Sequence, residues 1–229
     1  MALSAERRSA RIAHLVDSAR TLVRESGDAG FSMTQLATRA GVSPATPYNL
    51  AGSKGEIMRL VVRREFEDFD ARLGRIRHAS PVAELLDATA LVVTHYSADP
   101  QFYRGLFRAT LGMEASEIHD QMLAQGRAFW AGFVRDAVAA GELEAFIAVQ
   151  PLTDFLLRII GVTTQSWLAE NWSGTRFALE MAHGIRLGVA AVAAAPVRLR
   201  LVAEIAELGA QIEHDLPASP THTAVAATR

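Results

Sequence analysis

Between Ser32 and Lys54 the chain reads SMTQLATRAGVSPATPYNLAGSK, a stretch dominated by short hydroxyls, amides and small apolar residues. Thr34 opens one apolar-periodic run, and Ser43, Thr46, Tyr48 and Asn49 cluster at the start of a second. Hydroxyls and amides of this size hydrogen-bond phosphate oxygens and the edges of bases, and the Ala45 methyl matches a thymine methyl. The chemistry this spacing suits is contact with a nucleic-acid duplex.

Two short helices joined by a tight turn must carry these side chains. Leu36, Ala37 and Ala40 recur at helical spacing, Gly41 falls where a left-handed residue ends a helix, and Val42 is apolar. Ser43 then restarts the helix: its hydroxyl is expected to cap the next turn, with Pro44 at the first helical position. Pro47 removes an early backbone donor and predicts a 3₁₀ start. In such a helix-turn-helix the second helix enters the major groove while the first crosses the backbone, and Thr34 adds a contact at the positive end of the first helix.

On Ser32, Leu36, Ala37, Ala40, Gly41, Val42, Ser43, Thr46, Tyr48, Ser53 and Lys54, the segment resembles the DNA-binding head of the tetracycline-repressor (TetR-like) family of transcriptional regulators. The resemblance implies an all-α fold: a three-helix head over residues 1–52, a larger helical effector-binding and dimerisation domain over 53–215, and no cofactor. It implies that Thr46 and Tyr48 contact phosphates and that Lys54, the only lysine in the chain, anchors the DNA backbone. Double-stranded operator DNA, a second copy of the chain and a small, apolar effector are the partners it implies. Specific binding then needs two heads about 34–36 Å apart on a near-palindromic site. Release of DNA on effector binding, hence repression, is the family's common outcome.

The resemblance also implies roles in the body. The helices from Pro151 to Asn171 and from Ser173 to Ala195 correspond to the family's dimerising pair, with Phe155, Ile159, Met181, Ile185, Gly188 and Val192 as interface candidates. Glycines there suit close helix approach either between subunits or within one. The middle helices concentrate aromatics, of which most must be core. The effector-pocket candidates are Phe69, His95, Tyr96, Phe102, Tyr103, Phe107, Phe129, Trp130, Phe133 and Trp167, with Gln125, Thr163 and Gln165 as further polar groups. Two departures stand out: Pro47 in the first turns of the second helix, and Ala51, which replaces a bulkier apolar residue usual in the family, a loss worth about 2–5 kcal/mol unless Leu50, Met33 or Met58 refills the space.

Composition narrows the alternatives. The 229 residues are 50% apolar and contain no cysteine, so disulfides and thiolate metal sites are excluded. The net charge is −2, yet residues 1–78 hold 13 basic and 9 acidic side chains against 10 and 16 over 79–229, a positive head and a negative body. No uninterrupted apolar run reaches about 18 residues, so a cytoplasmic protein without a membrane partner is expected. The seven histidines show no metal-ligand spacing, and no phosphate-binding glycine loop, GxSxG or HExxH motif is present. An enzyme is therefore not expected. The rival reading is a helical small-molecule- or partner-binding protein with a degenerate head.

Periodicity predicts a first helix over Ser4–Ser26 and a long one from a Ser53 cap to His78, joining head to body. Further helices open at Ser80-Pro81 and Asp99-Pro100, run from Ser116 to Ala140 with Ile118 and Met122 in the stripe, open at Pro151, and run from a Ser173 cap to Pro196. A last amphipathic helix follows. After Asp215 no apolar period remains, and 216–229 reads as a disordered tail.

Overall fold

The computed structural model describes residues 2–111 and 116–215, with side chains over 5–108 and 124–215. The expected tail at 216–229 and the stripe positions of Ile118 and Met122 lie outside the described side chains. Among the described residues the chain forms ten helices: α1 Ala2–Ser26, α2 Met33–Arg39, α3 Ala45–Ala51, α4 Lys54–Leu73, α5 Pro81–Ser97, α6 Pro100–Leu111, α7 Ser116–Ala139, α8 Val149–Glu170, α9 Gly174–Ala190 and α10 Ala195–Asp215. No strand forms among them beyond a single bridge between Leu143 and Ala193, and none of these helices is long and apolar enough to cross a membrane.

Caps explain most boundaries. Ser32 Oγ accepts from Gln35 N at 3.1 Å while Gln35 Oε1 accepts from Ser32 N at 2.7 Å, a reciprocal capping box that fixes the start of α2. Its end is a Schellman turn: Val42 N donates to Ala37 O at 3.0 Å and Gly41 N to Thr38 O at 3.2 Å, with Gly41 at φ +64°. Ser53, Ser80 and Ser173 each accept from the backbone N–H three residues on, opening α4, α5 and α9.

Besides α1, which begins at Ala2 rather than Ser4, three boundaries differ from the sequence expectation. α4 stops at Leu73 rather than His78, because Arg75 N and Ile76 N donate three residues back, to Arg72 O and Leu73 O, and the last turn tightens out of α geometry. α8 begins two residues before Pro151, whose missing N–H falls in the first turn where no intrahelical partner is needed. α9 ends at Ala190 rather than Pro196: Val192 O accepts from Glu144 N at 2.9 Å and Ala194 N donates to Glu142 O at 2.9 Å. Those two bonds stitch the α9–α10 turn to the loop after α7.

Two apolar clusters result. The first joins Leu15, Val16, Ala19 and Val23 of α1, Met33 and Leu36 of α2, and Ile57, Met58, Val61 and Val62 of α4 with Phe102, Tyr103 and Leu106 of α6. The second gathers Phe69 and Leu73 of α4 with the inner faces of α5 and α7–α10. α4 therefore runs through both. At Gly105 of α6 an added Cβ would stand 2.8 Å from Val23 Cγ1 and 2.9 Å from Val23 O, so this glycine lets α6 lie directly on α1.

Candidate functional site

The first candidate surface is the outer face of α2 and α3. Thr34, Ser43, Ala45, Tyr48 and Asn49 are exposed and Thr46 is half-buried, while Met33, Leu36 and Ala37 on the inner face are buried. Tyr48 is 54% exposed, so its phenol is free to reach a partner from outside the head. Lys54, in the first turn of α4, is half-buried. Its ammonium lies 5.2 Å from the Phe31 ring centroid, and no described carboxylate forms an ion pair with it. A cation held against a ring and left without a counter-ion keeps its charge available for phosphate.

Ser43 behaves differently from the expected cap. Its Oγ lies 2.8 Å from Thr46 Oγ1, and its carbonyl, not its hydroxyl, accepts the Thr46 N–H at 2.9 Å. Pro47 supplies the reason: the N–H four residues on that would normally serve Ser43 O does not exist, so the donor one residue earlier takes its place. The turn thus begins in 3₁₀ fashion, as expected from Pro47. Arg8 donates from α1 to Leu50 O at 3.1 Å, covering a carbonyl in the last turn of α3. Beside the small Ala51, Leu50 packs half-buried on the head cluster, to which the buried Met58 and Met33 also belong.

The second candidate site is a cavity of about 160 Å³ bounded by α4, α5, α6, α7 and α8. Seven expected residues line it: Phe69, His95, Tyr96, Tyr103, Phe107, Phe129 and Trp130. Phe102, Phe133 and Trp167 do not. Phe102 is one residue, hence about 100° of helix, from Tyr103, and points into the head cluster under the Arg20 guanidinium at 4.9 Å. Phe133 sits edge-on behind Phe129 at 5.0 Å, and Trp167 stacks on Phe177 at 4.5 Å. Gln125, Thr163 and Gln165 are likewise absent from the wall, which takes Thr164 instead.

The cavity's main polar group is one that sequence reasoning missed, Glu65. It lies on α4, 8% exposed, at the junction of the two clusters. Tyr103 OH donates to Glu65 Oε2, and the Arg20 guanidinium of α1 stands 3.0 Å from Glu65 Oε1. Arg72 donates to His95 Nδ1 at 3.0 Å, which leaves Nε2 as the protonated ring nitrogen that donates to Glu65 Oε2 at 3.2 Å. Burial alone would raise the Glu65 pKa. The hydrogen bonds from His95 and Tyr103 and the charge of Arg20 outweigh it and hold the carboxyl below its ordinary range. Burial first, and then the Glu65 charge, push the Tyr103 phenol far above its ordinary pKa, so it stays a donor. One carboxylate thereby touches the cavity, α5, α6 and the head helix α1.

The α8–α9 surface divides in two. Phe155 is 45% exposed, Val162 63% and Leu187 48%, and Ile159 and Val192 are half-buried. Met181 and Ile185, by contrast, are 1% and 0% exposed and face their own subunit's core, because the 177/181/185/189 stripe of α9 is its inward face. Gly188 is also buried: a Cβ there would meet Phe155 Cε1 at 2.6 Å, so this glycine serves close α8–α9 packing within the subunit.

No protein-family model and no curated protein matches the sequence. Solved structures match the architecture. Full-length TylP, a TetR regulator from Streptomyces fradiae, is 20% identical, with 89% of this chain and 98% of that one covered at a TM-score of 0.65. A TetR transcription regulator from Haloarcula marismortui is 15% identical, covering 81% and 100% at 0.66. The transcriptional regulator FadR from Bacillus subtilis, crystallised with stearoyl-CoA, is 16% identical, covering 77% and 96% at 0.62. The chain therefore has the fold of TetR-family regulators, an N-terminal helix-turn-helix head on a helical body.

Proposed function

We propose that this protein is a ligand-responsive, homodimeric transcriptional regulator, a repressor that leaves its operator when a small molecule enters the body. The observation that carries the reading is the partition of α2 and α3: the apolar side chains fill the head core, while Thr34, Ser43, Ala45, Tyr48 and Asn49 are left outside, near an ammonium with no partner among the described carboxylates. Polar donors on a short convex helix pair suit a groove and its phosphates. The regulators with this fold, one of them holding stearoyl-CoA in its crystal, support the same reading.

The body supports a route from ligand to DNA. An effector that presses on Glu65 or Tyr103 also disturbs Arg20, and a second clip, Arg24 Nε to Asp99 Oδ2 at 2.8 Å, fastens α1 to the start of α6. A 100-fold change in operator affinity needs about 2.7 kcal/mol of coupling, the scale of one or two buried charge-assisted hydrogen bonds.

A mobility-shift titration with DNA flanking the protein's own gene, across a salt series, tests the DNA half. Lys54→Ala should weaken binding to all sequences and reduce the salt slope by about 1, and Tyr48→Phe should cost about three- to tenfold. Binding that is absent, or indifferent to salt, overturns the reading.

A further inference from the structure

The cavity carries a second polar feature besides Glu65. Thr21, Thr38, Thr89, Thr94 and Thr153 each return their hydroxyl to a carbonyl of their own helix, at 2.7 to 3.1 Å. Thr164, 1% exposed on the cavity wall, does not: its Oγ1 is buried without a hydrogen-bond partner. A buried hydroxyl in that state is destabilising until something meets it, so the wall at Thr164 favours an occupant that brings a polar atom to it.

The remaining walls define what else the occupant must be. They combine aromatic and aliphatic side chains, with Phe129 edge-on to Phe66 at 6.3 Å and to Phe69 at 5.6 Å, a lining that receives a flat ring by edge and face contacts. The volume, about 160 Å³, is that of a site for a single ring and lies well below the roughly 300 Å³ where pockets for drug-sized ligands begin. Charge is selected against in both directions. An anion would meet the Glu65 carboxylate at the wall, and a cation would find that carboxylate already paired with Arg20, with Arg72 behind His95. Neither ion would be repaid for leaving water.

We propose that the cavity takes a small, uncharged, single-ring ligand bearing one hydroxyl or ring N–H, which hydrogen-bonds Thr164. This rests on the effector-binding half of the regulator reading and narrows it to a chemical class.

Calorimetric titration of the full chain, without DNA, with phenol, toluene, benzoate and benzylamine tests it. Phenol should bind about tenfold more tightly than toluene, the worth of one buried hydrogen bond, and benzoate and benzylamine more weakly still. Thr164→Val should remove the phenol advantage and leave toluene unchanged. Gly161→Leu supplies a control that keeps the fold: Gly161 lines the cavity and a Cβ there meets nothing within 4 Å, so leucine fills the space and abolishes binding of all four compounds. A preference for benzoate or benzylamine, failure of all four to bind, a phenol affinity indifferent to Thr164→Val, or binding that survives Gly161→Leu overturns the inference. A protein that shifts DNA but prefers benzoate loses only the ligand class. One that binds phenol but no DNA loses the regulator reading instead.

Discussion

Glu65 concentrates the physical tension of this molecule in one side chain. In the sequence it sits inside RREFEDFD, a charge run that reads as a solvated helix face. The signal that separates it from its neighbours is register. Ile57, Val61, Phe69 and Leu73, all buried, recur every four residues, and Glu65 occupies the vacant position of that stripe. A carboxylate on an apolar stripe must find donors and an opposite charge or lose its own, and here it finds the donors Tyr103 and His95 and the charge of Arg20. Because its folded pKa lies below the unfolded value, its stabilisation is fully present above the ordinary glutamate range and is lost as pH falls through the folded pKa. Glu65→Gln should cost about 1–3 kcal/mol at pH 7. The difference from the parent in urea denaturation should stay constant between pH 7 and pH 5 and shrink once the pH falls below the ordinary glutamate range and the carboxylate takes up a proton. A gap that persists unchanged at low pH would mean that Glu65 contributes shape rather than charge.

At the scale of elements, the capped starts of α4, α5 and α9, the Gly41 turn and the aromatic run of the middle helices were all legible, because serine caps, glycine turns and apolar periodicity act within a few residues. What the sequence hid were contacts between elements. Nothing local in VAAVAAAP announces that α9 stops at Ala190, since alanine favours helix; the stop is imposed by a loop some fifty residues away. The choice of Phe107 over Phe102, or Thr164 over Thr163, depends on helix rotation that periodicity locates only to within a residue. Gly105 is the same kind of case. Mid-helix, Gly→Ala gains up to about 1 kcal/mol of propensity, but here the new methyl would stand 2.9 Å from a backbone oxygen of α1, and overpacking of that kind costs about 1–3 kcal/mol. The clash should win, and Gly105→Ala should lower stability by about 1–2 kcal/mol in chemical denaturation. A stabilised variant would show that α1 and α6 slide apart freely, which would remove the rigid contact on which the proposed transmission from body to head relies.

For the whole molecule the proposed function raises the question of how two heads would be held at one spacing. A single head would make few contacts, so in that proposal operator affinity depends on pairing, and joining two modest binding modules raises affinity by about 10²- to 10⁴-fold. Of the residues the sequence suggested for pairing, Met181, Ile185 and Gly188 serve the subunit's own interior, which shifts the weight to the outer faces of α8 and α9, where Phe155, Val162 and Leu187 are exposed. Phe155 and Val162, with half-buried Ile159, follow the +4, +3 spacing of one face of α8. Val162, at 63% exposure, is the one to charge, because a surface substitution there should change subunit stability by no more than about 0.5 kcal/mol. If this face pairs with its copy, each Val162→Asp subunit places an unpaired carboxylate in an apolar interface, and sedimentation velocity at micromolar concentration should find monomers that retain the parent's circular dichroism and Glu65-dependent acid transition. Operator affinity should then fall by about 100-fold or more, while the salt slope per bound head stays the same. A Val162→Asp protein that remains dimeric and binds DNA normally would move the interface off this face, toward the exposed Leu199 and Val202 of α10.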